Sequence, residues 1–166
     1  MKYQTIYDKQ LNMFIVNDEL IKKQEDKGRD IFFTCCPNMS WTENQDKFGI
    51  WDLKGNSESS EMYVEIKNRD IKSTSYSTSF LELKKYNNLL ELANNSTSKT
   101  KVYYFVTYAD NVSYLFDLTK LKMDQIQKSK IWMKEVSLAG QDKMVQKEVI
   151  ELPLAVAKKK YTITYA

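Results

Sequence analysis

The spacing of apolar residues divides the chain into helix-like and strand-like runs. Over Thr5–Lys27, Ile6, Leu11, Phe14, Ile15, Leu20 and Ile21 recur at three- and four-residue steps among Lys, Asp and Glu. That spacing predicts helix, with Asn17 or Asp18 placed to cap a second helix and Gly28 placed to end it. Ile31–Cys35 (IFFTC) reads as a short strand, and Pro37–Lys47 as a polar loop around Trp41. Phe48–Leu53 and Met62–Lys67 read as strands joined by the polar connection KGNSESSE. The Ser/Thr-rich stretch IKSTSYSTS follows, then a helix to about Ala93. Its apolar stripe is Leu83, Tyr86, Leu89, Leu90 and Ala93, and Ser79 and Glu82 have the spacing of a capping box. KVYYFVTYA and VSYLFDL are strong strand patterns around Asp110-Asn111, a hairpin signal. Asp117 or Thr119 is placed to cap a helix holding Leu121, Met123 and Ile126. IWMKEVSL and KEVIELPL read as strands around Ala139–Asp142, and YTITYA as a last edge strand.

Strands and helices thus alternate in blocks, which predicts an α/β (α+β) fold: a central mixed β-sheet flanked by helices. The helix between Lys67 and Val102 is long enough to act as a crossover and make some strands parallel. At 166 residues without repeats or a linker, the chain reads as one domain, 1–166. Its longest early apolar run, Met13–Val16, is too short for a membrane span or a signal-peptide core, so a cytoplasmic location is expected.

Composition removes several chemistries. There is no histidine, which excludes Ser-His and Cys-His nucleophilic catalysis. The two cysteines, Cys35 and Cys36, are adjacent; they supply neither a disulfide framework nor a four-ligand zinc site. No glycine-rich phosphate loop is present. A net charge of +3 permits a nucleic-acid partner without requiring one. Catalysis, if any, falls to carboxylates, lysines, tyrosines or a metal held by oxygens.

Trp51–Arg69 (WDLKGNSESSEMYVEIKNR) offers such a set. Strand alternation sends Met62, Val64 and Ile66 to one face and Tyr63, Glu65 and Lys67 to the other. Asp52 closes the preceding run, so two acids and a lysine can converge where the strands pair. The Glu-x-Lys triplet alone means little, because Glu25-Asp26-Lys27 and Glu82-Leu83-Lys84 repeat it. Its context does more: a strand end, an acid thirteen positions upstream and a helix downstream.

In Asp52, Glu65-Ile66-Lys67 and the following helix the chain resembles the PD-(D/E)XK nuclease superfamily, over roughly Asp18 to Phe116. Trp51 stands where the family name has proline. The resemblance implies a restriction-endonuclease-like core and a metal-dependent nuclease hydrolysing DNA phosphodiester bonds. It implies Asp52 and Glu65 as ligands of Mg²⁺ or Mn²⁺, joined by the backbone carbonyl of Ile66, and Lys67 as the catalytic lysine. It further implies a lysine from the next helix, Lys85 in preference to Lys84, and a metal-site acid from the N-terminal helix, Glu19 or Glu25. Members of the superfamily often pair to cut two strands, which makes a homodimer an expectation.

The chemistry suits these residue types. Phosphodiester hydrolysis needs an activated water, a neutralised phosphate and a stabilised leaving oxygen. Carboxylates are the hard ligands Mg²⁺ takes, and a neighbouring lysine orients the water. Arg69, Lys72 and Lys84 or Lys85 are placed to meet flanking phosphates, with hydroxyls from Ser73–Ser79. The competing reading is a cross-strand ion pair on a solvated sheet, which contributes about 0–1 kcal/mol. A non-catalytic module of the same fold, binding nucleic acid or protein, is the functional alternative. The three tryptophans read as packing residues more than as base-stacking platforms.

Overall fold

In the computed structural model, residues 6–8, 13–15, 18–46, 49–96, 99–135 and 143–164 are described. The first two strands, β1 (Ile6–Asp8) and β2 (Met13–Ile15), pair antiparallel. This corrects the helix predicted over that stretch. A three- to four-residue apolar spacing in a short segment also fits strands whose apolar residues cluster, and pairing decides between them. Leu11 and Asn17 lie outside the described residues.

Helix α1 (Asp18–Cys35) starts at one of the two positions expected to open a helix. It does not stop at Gly28, and IFFTC is its last part and not a strand. Gly28 is there for space. A Cβ at that position would sit 3.1 Å from Ile66 Cγ2, so the glycine lets α1 lie close on the sheet.

The following strands are β3 (Trp41–Glu43), β4 (Leu53–Ser57), β5 (Ser60–Arg69), β6 (Thr78–Glu82), and, after helix α2 (Leu83–Asn95), β7 (Lys99–Tyr108) and β8 (Val112–Asp117). β9 (Gln127–Lys134), β10 (Met144–Pro153) and β11 (Lys159–Thr162) complete the chain. The main sheet has six strands in the order β11-β8-β7-β5-β4-β3, and a three-stranded sheet has the order β6-β10-β9. β5 and β7 run parallel in register from Ser60↔Lys99 to Arg69↔Tyr108, because β6 and α2 carry the chain back between them. Their neighbours are antiparallel, so the sheet is mixed, as expected.

The two faces of the sheet carry separate cores. Ile31 and Phe32 of α1 pack on Leu53, Val64, Phe105 and Leu115. On the other face, Tyr86 and Leu89 of α2 pack on Val102, Tyr104 and Val106, joined by Leu81, Ile150 and Leu152 of the smaller sheet. Strand alternation in β7 supplies both: Val102, Tyr104 and Val106 go one way, Tyr103 and Phe105 the other.

Other expectations shift. Ser79 is not a helix cap; it is buried in β6, opposite Leu152. The N-cap of α2 is Glu82, with no side-chain cap bond. After β8, where a helix was predicted, only a 3₁₀ turn forms, at Met123–Gln125. The β7–β8 hairpin turns at Asp110-Asn111, with Asn111 at φ 61°, a conformation asparagine tolerates better than most residues. Ala139–Asp142 lies outside the described residues.

Candidate active site

The β4–β5 hairpin turns in two residues, Glu58-Ser59, with Ser57 opposite Ser60 and Leu53 opposite Val64. β4 therefore extends through what was expected to be a loop, and Asp52 lies just before β4 instead of closing a strand. One more step of the same register sets Asp52 across from Glu65, and directly opposed residues share a face. Two hydrogen bonds, one within the backbone and one to the Asp52 carboxylate, fix this junction. Asp52 N–H donates to the Val64 carbonyl at 2.9 Å, and Ile66 N–H donates to Asp52 Oδ2 at 2.6 Å. In a strand, the N–H and C=O of one residue point the same way, so the Ile66 carbonyl is also turned toward the Asp52 side.

Glu65 is 5% exposed, on the α2 face of the sheet. Its Oε1 accepts a 2.5 Å hydrogen bond from Lys85 Nζ. Its Oε2 is buried and has no hydrogen-bond partner. Burial, and then the charge of Asp52, push the Glu65 carboxyl up to about 8, against the pull of Lys85 and Lys67. The Lys85 ammonium is raised: the attraction and hydrogen bond of Glu65 outweigh the burial that opposes its charge.

The structure thus gathers four of the residues singled out in the sequence. Asp52, Glu65, Lys67 and Lys85 act on one another electrostatically, with Glu65 at the centre. Lys67 is exposed, two residues along from Glu65 on the same face. Lys85 rather than Lys84 faces the site; Lys84 is exposed. Glu19 is exposed in the first turn of α1, and Glu25 is exposed too. α1 covers the opposite face of β5, with Gln24 O accepting from Asn68 Nδ2 and Gly28 against Ile66. Neither glutamate is among the charges that act most on Glu65.

Two carboxylates and one carbonyl are what the chain offers a cation here. Among the described residues no cluster of three acidic or thiol side chains forms. The donor set still fits a hard divalent ion. An unpartnered buried carboxylate oxygen beside a second carboxylate is an arrangement that a cation would satisfy.

Arg69 is not available for a flanking phosphate. Its guanidinium lies 3.9 Å over the Phe80 ring and donates to the Phe80 carbonyl at 2.9 Å. Ser73 donates to Asp110 through both its N–H and its hydroxyl, pinning the Ser/Thr loop to the β7–β8 turn. Sequence reasoning missed the pair Glu82 and Lys147, 3.1 Å apart, which ties β10 to the start of α2 beside Lys85. Only β6–β10 pairing brings them together, and no local pattern signals it. Cys35 and Cys36 are half-buried free thiols, and burial pushes the Cys35 thiol up to about 11, away from reactivity.

No family model matches the chain, and no curated protein matches it. Among solved structures it is similar to Hjc, a Holliday junction resolvase from the archaeal hyperthermophile Archaeoglobus fulgidus. The TM-score is 0.53 at 10% identity, covering 85% of this chain and 92% of that chain. The fold is therefore restriction-endonuclease-like, as the resemblance in the sequence implied.

Proposed function

We propose that the chain is a metal-dependent nuclease acting on DNA, with Asp52, Glu65, Lys67 and Lys85 forming its site. One observation carries the reading: buried Glu65, its Oε2 unpartnered, lies beside Asp52 and is flanked by two lysines on the same face. A buried carboxylate oxygen left without a hydrogen bond is costly, and a bound cation would offset that cost. The fold supports the same reading, and the likeness to a Holliday junction resolvase supports DNA as the substrate.

Asp52, Glu65 and the Ile66 carbonyl would hold Mg²⁺ or Mn²⁺. Bound there, the ion would acidify a water and offset charge growing on the phosphate. Lys67 is exposed on the face of β5 that carries Glu65, where it is open to substrate. Its ammonium orients the attacking water and holds a phosphate oxygen. Lys85 comes from behind, on α2, and its ammonium lowers the cost of charge on buried Glu65 without removing it. The Ile66–Asp52 bond fixes the first acid against the strand that carries the second. Glu19 stays outside this assignment.

Plasmid DNA incubated with the protein and Mg²⁺ should be nicked or linearised, and EDTA should stop it. Lys67→Ala should lower the rate by about 10²-fold or more, as loss of a group that stabilises transition-state charge does. Full activity in Lys67→Ala would sink the assignment. Salt-dependent DNA binding with no Mg²⁺-dependent turnover would favour the non-catalytic module instead.

A further inference from the structure

Among the described residues β9 pairs with β10 alone, at the edge of its sheet. Its even-numbered residues share one face: Lys128, Lys130, Trp132 and Lys134, all exposed. Trp132 is 65% exposed. Lys128 and Lys130 make no ion pair among the described residues. The one acid opposite this row is Glu148, across from Lys130. Neighbouring lysines in the same hairpin are used otherwise: Lys147 binds Glu82, and Lys143 binds Glu135.

Edge strands commonly carry lysines to block unwanted pairing. That accounts for the lysines but not for the tryptophan. A large exposed aromatic on an edge invites association, so protection alone would not place one between Lys130 and Lys134. Cations at every second residue recur about 6.7 Å apart along a strand. A cationic row with a bare aromatic inside it is the combination that binds a nucleic-acid strand: lysines on phosphates, the ring on a base. The odd-numbered face of the same strand, Ser129, Ile131 and Met133, is half-buried, so the row has a fixed direction.

We propose that the β9 face, Lys128, Lys130 and Trp132, binds a single-stranded segment of DNA, with Trp132 stacking on an unpaired base. This rests on the nuclease reading for the identity of its ligand, and it adds a second contact surface away from the Asp52–Glu65 pair. β10 links the two places, since it pairs with β9 along one side and reaches Glu82 through Lys147 on the other.

The test is binding of a labelled single-stranded oligonucleotide, and of the same sequence as duplex, in EDTA across a salt series. Wild type should bind the single strand with a salt slope that falls by roughly 1.4 in Lys128→Ala/Lys130→Ala, about 0.7 per phosphate lost. Trp132→Ala should weaken single-strand binding by roughly five- to a hundredfold and duplex binding much less, and Trp132→Phe should recover part of the loss. All three sites are exposed, and circular dichroism and melting should match wild type. An unchanged salt slope, an equal loss on both DNA forms, or no binding by wild type would each overturn the proposal. Plasmid cleavage with Mg²⁺ by the same variants keeps the two readings apart. Wild-type cleavage with no effect of these changes on binding removes the β9 surface and leaves the nuclease assignment standing.

Discussion

Glu65 is held in a conflict. Burial opposes its charge and so does Asp52, while Lys85 grips one oxygen and leaves the other without a partner. In the metal-free folded protein its carboxyl keeps its proton to about pH 8, whereas an unfolded chain releases it near 4.5. Between those values the folded state binds the extra proton, so this group makes stability fall as pH rises. Urea denaturation in EDTA at several pH values in that window should show the decline. Glu65→Gln, which keeps the shape and cannot ionise, should flatten it. A wild-type stability that climbs through the window at the same rate as the variant's would contradict the account. Lys67, one side-chain repeat away, is exposed, which suits a group that meets substrate.

At the scale of elements, close packing decides more than propensity. Gly28 is a poor helix residue by about 1 kcal/mol relative to alanine, yet α1 runs through it because the helix must approach Ile66. Gly55 in β4 is a parallel case: a Cβ there would fall 2.6 Å from Trp41 Cζ3. Trp41 in turn packs edge-on to Phe32, with ring centroids 4.9 Å apart. Gly55→Ala should therefore destabilise the protein by about 1–3 kcal/mol, the usual range for overpacking. The midpoint of urea unfolding measures it, and an unchanged midpoint would mean that Trp41 relaxes freely. The elements legible in the sequence were those with a strong, long pattern: β5, β7, β8, β10 and most of α2. The ones misread are short or ambiguous. β1 and β2 have three residues each, and IFFTC is as apolar as a strand while belonging to a helix. Ser79 has the spacing of a cap, but β10 claimed it for pairing.

For the molecule as a whole, the site lies where one sheet face, one helix and the smaller sheet meet. Stability there is coupled to any ion the site takes. A ligand bound only by the folded state stabilises it by RT ln(1 + L/Kd), with L the free ligand concentration, so the melting temperature rises with the logarithm of its affinity. Millimolar Mg²⁺ or Mn²⁺ should therefore raise the melting temperature at pH 8 by more than at pH 5.5, where protonated Glu65 competes. Asp52→Asn should remove most of that gain. A scanning-fluorimetry series with and without metal reads this directly, and an equal shift in wild type and Asp52→Asn would place the ion elsewhere. No helix among the described residues is long and apolar enough to cross a membrane.

The sequence by itself determined which face each residue of β5 would take. Side chains alternate with period two, so Glu65 and Lys67 had to share a face opposite Val64 and Ile66. It also allowed a crossover, since α2 is long enough to carry the chain back; that β5 and β7 are the strands it makes parallel is a matter of pairing. The register of the hairpin was not legible. KGNSESSE reads as a long polar loop, but β4 runs through most of it to a two-residue turn. Only that pairing sets Asp52 opposite Glu65. Only the packing of α2 brings Lys85 onto Glu65, and only β6–β10 pairing brings Lys147 to Glu82. Alternation is a local property of the backbone, written in adjacent residues. Register and helix placement are settled by which distant surfaces bury best against each other, which no short stretch of sequence contains.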